Sequence, residues 1–171
     1  MDFINEYWKC VGSDQHTHKI RQNKHLQSLD QFLIDCVELP AKLEMTIPCK
    51  YRKEKKWDIF FPSLQLAIEY KTITSRSIQK CKYLRIEEGL GSCVDAKEYN
   101  IDLKLGYIII FAFDYCSSSI LKSRDIIMNA FKDMVDDNYY DLFYAIQTNG
   151  PDHYEFLTGD LNNLLGMIKN V

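Results

Sequence analysis

Two carboxylates and a lysine are spaced so that they could meet at one edge of a β-sheet. Asp58 lies before, and Glu69 and Lys71 lie after, a tight turn predicted at Pro62-Ser63. If the segments on either side of the turn pair as a hairpin, alternation puts Glu69 and Lys71 on one face and apolar residues on the other. Asp58 then lies across from Glu69, and the three charged groups converge.

Metal-assisted cleavage of a phosphodiester needs an arrangement of this kind. Mg²⁺ takes oxygen ligands from one or two carboxylates and keeps several waters, so Asp58, Glu69 and the backbone carbonyl of Tyr70 are the candidate metal ligands. Such a metal generates a nucleophilic hydroxide and offsets charge at phosphorus. Lys71 is suited to orient that water or to stabilise the developing negative charge. We therefore predict Asp58, Glu69 and Lys71 as catalytic residues, with Mg²⁺ as the cofactor.

The same three residues have a simpler interpretation, which is a surface salt bridge across two strands. Acid-x-lysine spacings also occur at residues 54–56, 95–97 and 102–104, within a charged run, a predicted helix and a predicted loop. Only the group at Asp58, Glu69 and Lys71 combines this spacing with a predicted hairpin and an apolar opposite face. That combination favours the nuclease site.

The elements around the hairpin predict one α/β domain spanning residues 1–171. The length suffices for a full core, and the composition of 46% apolar and 26% charged residues is that of a globular protein. Apolar periodicity predicts helices over 2–10, 26–37, 76–99, 120–135, 139–146 and 161–171, and strands over 43–51, 56–61, 64–71 and 107–113. The order of these elements indicates a mixed central sheet flanked by helices.

Composition also restricts the compartment, and the expectation is a cytoplasmic protein with no membrane span. The apolar run over residues 107–113 is far shorter than the ~20 residues that a span needs, and the acidic first six residues do not resemble a signal peptide. The six cysteines form no Cys-x-x-Cys pair, so we expect reduced thiols. The polar stretch with His16, His18 and His25 fits no zinc spacing and is predicted to be a surface loop.

The net charge of −3 conceals a very uneven distribution. Residues 50–56 carry five basic side chains against one acid, residues 71–85 carry five and no acid, and residues 133–160 carry seven acids and no lysine or arginine. Basic groups gathered in one third of the chain are typical either of a solvated surface or of a site for a polyanion such as double-stranded DNA. Candidate contacts to phosphates or base edges are Arg52, Lys55, Lys56, Arg76, Gln79, Lys80 and Arg85.

Three segments resemble the active-site region of the XhoI-type type II restriction endonucleases, a family of the PD-(D/E)XK nuclease superfamily. The segments are Lys55-Lys56-Trp57-Asp58-Ile59-Phe60, Ala67-Ile68-Glu69-Tyr70-Lys71 and an Arg85-x-Glu87-Glu88-x-x-Gly91 pattern. Weaker similarities at residues 29–32, 39–40 and 106–107 extend the likeness over about residues 26–113. The resemblance implies a restriction-endonuclease-like core in α-β-β-β-α-β order.

The same resemblance implies a Mg²⁺-dependent homodimer that cuts both strands of double-stranded DNA at a short palindromic site. It assigns catalysis to Asp58, Glu69 and Lys71, and Glu44 and Glu87 are candidates to support the metal site. A restriction enzyme also needs a cognate methyltransferase to protect host DNA. Two alternatives remain: a repair or structure-specific nuclease of the same superfamily, and a catalytically inert DNA- or partner-binding module.

Overall fold

Six strands form one mixed β-sheet with helices on both faces. The computed structural model describes residues 2–12 and 18–171, without the side chains of residues 2, 10–12 and 18–27. Of the predicted histidine loop, residues 13–17 with His16 lie outside the described residues, whereas His18 and His25 belong to a helix, so the loop predicted for these two is wrong. The helices are α1 (Asp2–Gly12), α2 (His18–Val37), α3 (Ser75–Tyr99), α4 (Ser118–Asp136) and α5 (Leu161–Asn170). The strands are β1 (Lys42–Pro48), β2 (Glu54–Phe61), β3 (Leu66–Thr74), β4 (Lys104–Ala112), β5 (Leu142–Gly150) and β6 (His153–Phe156).

The strands lie in the sheet in the same order as in the chain. The first three form an antiparallel meander, β3, β4 and β5 are parallel, and β6 returns antiparallel at the far edge. The parallel strands are joined by α3 and α4. Because both connections advance across the sheet in the same direction, right-handed crossovers put both helices on the same face. The opposite face is covered by α1, α2 and α5.

Alternation along β3 decides which side chains meet which layer of helices. Leu66, Ile68 and Tyr70 belong to the cluster under α1, α2 and α5, and Ala67 belongs to the cluster under α3 and α4. This confirms the faces predicted for the hairpin. The neighbouring β4 is buried from Leu105 to its end, as a strand covered by helices on both faces must be.

One predicted helix is wrong. Residues 139–146 were predicted as helical, but Leu142–Gly150 forms β5. Tyr140, Phe143 and Tyr144 do recur at helical spacing, yet the run from Leu142 to Ile146 is apolar throughout and buried on both faces. An interior parallel strand gives the same sequence pattern as one turn and a half of buried helix, and here tertiary packing decides for the strand. The short edge strand β6 was not predicted.

In the helix predicted over 76–99, the apolar residues Ile78, Cys81, Leu84, Leu90 and Val94 were expected on the inner face, and α3 differs from this in part. Ile78 is buried as expected, but Leu84 is 51% exposed and Leu90 is 38% exposed. Apolar residues occur all around this helix, so the sequence has no single stripe from which the buried face could be read.

Two further findings concern the helices and the thiols. Among the helices that the structure describes, none has the length and apolar character needed to cross a membrane. The cysteines whose side chains are described form no disulfide with one another: Cys36, Cys49, Cys81, Cys93 and Cys116 are all free thiols.

Candidate active site

The site forms where the ladder between β2 and β3 ends. These strands pair from Phe61 and Leu66 at the turn as far as Ile59 and Ile68. Beyond that point a side chain replaces the backbone acceptor, because Asp58 Oδ2 accepts a hydrogen bond from the Tyr70 backbone N–H at 2.7 Å. Asp58 is thereby held in the gap between the two strands.

Glu69 lies next to this gap, on the face of β3 that packs under α3 and α4. Its side chain is only 9% exposed, and each carboxylate oxygen has its own ammonium partner. Lys71 Nζ lies 2.7 Å from Oε1, and Lys55 Nζ lies 2.8 Å from Oε2. Glu69 and Lys71 thus meet as the spacing predicts.

Lys55 is placed differently from the prediction. The sequence put it at a basic strand end facing DNA phosphates, but its side chain is 12% exposed and lies inside the site. Its ammonium group is 5.0 Å from the centre of the Trp57 ring, within range of a cation–π interaction. The site therefore contains two lysines, of which the sequence identified one.

Charge and burial act in opposite directions on the two carboxylates. Burial alone raises the pKa of Glu69, but the charges and hydrogen bonds of Lys71 and Lys55 outweigh it, so the pKa lies below its usual value. For Asp58 burial dominates, and the pKa is raised although the Tyr70 N–H and Lys71 lower it. Glu69 is the more strongly held anion of the two, while Asp58 gains from any further cation.

A third carboxylate was missed by the sequence reasoning. Asp30, on α2, is 9% exposed, and its burial raises its pKa to about 7. The Tyr70 hydroxyl acts against this shift, whereas the charges of Asp58 and Glu44 add to it. The signal in the sequence was a single acid between Leu29 and Leu33 on the apolar stripe of α2.

The raised pKa of Asp30 predicts that stability falls as the pH rises. The unfolded chain releases this proton near pH 4 and the folded chain near pH 7, so between these values the unfolded state is increasingly favoured. We expect Asp30→Asn to gain about 2 kcal/mol of unfolding free energy relative to wild type between pH 4 and pH 8, after allowance for solvent screening. Urea unfolding in EDTA at several pH values measures this.

Asp35→Asn is the matched control, because Asp35 is exposed on the same helix and bonds only Gln31 among the described residues. Its stability relative to wild type should not vary with pH in this way. If the unfolding free energy of Asp30→Asn varies with pH as that of wild type does, Asp30 is ionised in the folded protein and the raised pKa is wrong.

The buried side-chain polar atoms that lack a hydrogen-bond partner within the described residues lie on both faces of the sheet. Trp57 and Tyr107 lie on the Glu69 face of the sheet, and Tyr107 is opposite Glu69 in the register of β3 and β4. Tyr70 lies on the opposite face, where it meets Asp30. The atoms are Asp30 Oδ1, Trp57 Nε1, Tyr70 Oη, Thr72 Oγ1, Arg85 Nε and Tyr107 Oη. Buried polar groups are normally satisfied, so Trp57 Nε1 and Tyr107 Oη on the Glu69 face are suited to a partner such as water, an ion or a substrate.

The supporting carboxylates predicted from sequence have different positions. Glu44 has a left-handed backbone (φ 51°) and pairs with Lys56 at 2.7 Å, and both side chains are exposed. The charge of Glu44 nevertheless helps to raise the pKa of Asp30. Glu87 is exposed on α3 and, in the described part of the chain, makes no hydrogen bond or ion pair with the site. The structure therefore brings Glu44 towards the site and leaves Glu87 outside it.

The remaining DNA-contact candidates lie in two places. In the loop before β2, Arg52 Nε donates to Asp95 Oδ2 at 2.6 Å, which fixes that loop against α3. The others are on α3, which starts directly after β3 where the Thr74 N–H donates to Ser77 Oγ. Arg76, Gln79 and Lys80 are exposed on this helix, whereas Arg85 is partly buried and pairs with Glu88.

Two carboxylates suffice for Mg²⁺. Among the side chains that the structure describes, no three His, Cys, Asp or Glu residues gather as a metal cluster. Mg²⁺ keeps most of its waters and needs only one or two carboxylates, so Asp58, Glu69 and the Tyr70 carbonyl fit its requirements. The unsatisfied polar atoms around them are suited to bind those waters.

Compared with known protein families, curated proteins and solved structures, the chain has no match. What the site can do must therefore be argued from its geometry. Two acids and two lysines, half-enclosed at the end of a strand ladder, can bind a divalent cation, position water and neutralise an anionic transition state.

Proposed function

We propose that the protein is a Mg²⁺-dependent type II restriction endonuclease that hydrolyses phosphodiester bonds in double-stranded DNA. The observation that carries the proposal is the group formed by Asp58, Glu69 and Lys71. Asp58 is fixed by the Tyr70 N–H at 2.7 Å, and Lys71 lies 2.7 Å from a buried Glu69 carboxylate. A surface salt bridge would not need a buried acid with unsatisfied polar atoms around it.

The order of the elements supports the proposal. From α2 to β4 the chain follows helix, three antiparallel strands, helix and a strand parallel to the third. This agrees with the α-β-β-β-α-β order that the resemblance implies for a restriction-endonuclease-like core. The two acids lie on the second and third strands, and the lysine follows on the third, as in the resemblance.

In the proposed reaction each residue has a separate task. Asp58, Glu69 and the Tyr70 carbonyl would hold Mg²⁺, which would supply Lewis acidity and lower the pKa of a bound water. Lys71 turns from Glu69 towards the attacking water or a non-bridging phosphate oxygen and stabilises the charge that develops there. Water adds to phosphorus and one ester bond breaks, giving a phosphomonoester and an alcohol.

The proposed partners follow from this reaction. Cleavage of both strands of a palindrome requires two sites, and each chain carries one, so we propose a homodimer. Arg76, Gln79 and Lys80 form an exposed row on α3 that is suited to contact DNA. We also propose a cytoplasmic location and a cognate methyltransferase, because an unprotected host genome would be cut.

The test is incubation with unmethylated plasmid and phage DNA in Mg²⁺ or in EDTA. We expect discrete fragments in Mg²⁺ that are absent in EDTA and with the Glu69→Gln variant, because removal of the metal or of its ligand removes the nucleophile. Mapping the fragment ends gives the recognition site. Cleavage only of junctions or free ends would favour a repair nuclease, and no cleavage of any DNA, with equal binding in Mg²⁺ and EDTA, would favour the inert module.

A further inference from the structure

Lys55 competes with any metal ion for the carboxylate of Glu69. Glu69 has two carboxylate oxygens, and the ammonium groups of Lys55 and Lys71 cover one each at 2.8 and 2.7 Å. Each oxygen keeps a second lone pair, but a cation bound there lies beside an ammonium group that repels it, so coordination of Glu69 is favoured only once a lysine withdraws. The Lys71 side chain is 30% exposed and that of Lys55 is 12% exposed, so Lys55 is the more deeply enclosed of the two.

The next residue in the chain shows that this placement is specific. Lys56 points the other way from β2, and its side chain is 57% exposed and pairs with the exposed Glu44. Lys55 instead lies over the buried Trp57 ring and reaches Glu69. Two adjacent lysines of the same basic run thus have different environments, and only one of them is part of the site.

Formal charges in the enclosed group cancel. Asp58 and Glu69 carry two negative charges, and Lys55 and Lys71 carry two positive charges. A divalent cation entering this group would leave an uncompensated double positive charge in a poorly hydrated place, which is unfavourable. A phosphodiester that enters with the cation compensates part of that charge and offers the ammonium groups a new partner.

We propose that Lys55 is a positioning residue that keeps Glu69 closed to divalent cations until a phosphodiester draws its ammonium group away. The inference rests on the proposed metal site at Asp58 and Glu69, and it adds a control on when that site forms. Metal and DNA then bind cooperatively, because the phosphodiester draws the Lys55 ammonium group from Glu69 and the bound cation in turn favours the phosphodiester. The enzyme holds little metal without DNA and assembles its site on the substrate.

The test is a titration of the protein with Mn²⁺ in the absence of DNA. Electron paramagnetic resonance measures the concentration of the free ion. Mn²⁺ takes the same oxygen ligands as Mg²⁺. We expect Lys55→Met to bind Mn²⁺ about tenfold more tightly than wild type, since a competing charge is removed from Glu69. Methionine keeps the stem against Trp57, and a gain of affinity cannot come from loss of structure. Lys55→Gln keeps a hydrogen-bond donor, so its affinity for Mn²⁺ should lie between those of wild type and Lys55→Met. It replaces Lys55→Met in the test if that variant does not fold.

Two controls separate the possible results. Lys132→Met makes the same charge change on the exposed side of α4 and should bind as wild type does. Glu69→Gln in the Lys55→Met background should abolish the gain. If wild type and Lys55→Met bind Mn²⁺ equally and both lose it with Glu69→Gln, the metal site stands and the control by Lys55 is wrong. If neither protein binds Mn²⁺, the proposed metal site itself is wrong.

Discussion

Lys71→Met is expected to lower the rate constant of DNA cleavage about thousandfold while DNA affinity changes only a few-fold. The ammonium group stands beside Glu69 and Asp58, where charge develops in the proposed reaction, and methionine preserves the length and apolar stem of the side chain. The loss is therefore confined to the charge. Single-turnover cleavage of a duplex that carries a mapped site, with enzyme in excess, measures the chemical step, and gel-shift assays in Ca²⁺ measure DNA affinity.

Lys132→Met is the control here too, because Lys132 is exposed on α4, away from the site. Its cleavage rate should match that of wild type. Full activity of Lys71→Met would exclude a catalytic role for Lys71. An equal loss in cleavage rate and in DNA affinity would make Lys71 a binding residue instead.

The hairpin group was predictable because everything it needs is local. Alternation along one strand puts Glu69 and Lys71 on the same face, and a short turn brings Asp58 back beside them. The bond from the Tyr70 N–H to Asp58 depends only on where the strand ladder ends. These features follow from the spacing of about fifteen consecutive residues, so wrong predictions elsewhere in the fold do not affect them.

Lys55 and Asp30 were not predictable in the same way. Whether a basic residue at a strand end turns outward or inward depends on what packs beside it, here the Trp57 ring and the buried Glu69. Asp30 reaches the site only because α2 packs across β3 and meets Tyr70. The position of Asp30 is set by a contact between segments distant in the chain, and that of Lys55 by which way its side chain turns within the hairpin; spacing alone specifies neither.

The wrong prediction of a helix at β5 has a related cause. The aromatic residues between Tyr139 and Tyr144 satisfy a helical period, and the sequence offers no alternation because the strand is buried on both faces. Only the presence of β4 on one side and β6 on the other selects the extended form. β4 is buried in the same way but was predicted as a strand, because Gly106 and Asp114 bound its apolar run, whereas the aromatic residues from Tyr139 onward gave β5 a helical period.

Gly89→Ala should destabilise the protein by about 2 kcal/mol, although alanine is the better helix former. A Cβ at this position of α3 would lie 2.6 Å from Phe131 Cζ on α4. Phe131 cannot easily move, because it is stacked between Tyr107 at 4.3 Å and Phe143 at 5.3 Å. The Gly89 carbonyl also accepts the Tyr140 hydroxyl bond at 2.9 Å, which fixes the backbone of α3 here.

Gly166→Ala is the matched control and is expected to have the opposite sign. Gly166 is also inside a helix, α5, but a Cβ there would meet nothing within 4 Å. Alanine should therefore stabilise by about 0.5–1 kcal/mol through helix propensity and the lower entropy of the unfolded chain. Urea unfolding of the two variants measures both values, and a stabilised Gly89→Ala would show that α3 and α4 are not in the close contact described. Because Phe131 supports Tyr107, and Tyr107 is opposite Glu69 in the sheet, we expect Gly89→Ala also to lower cleavage at temperatures where the protein remains folded.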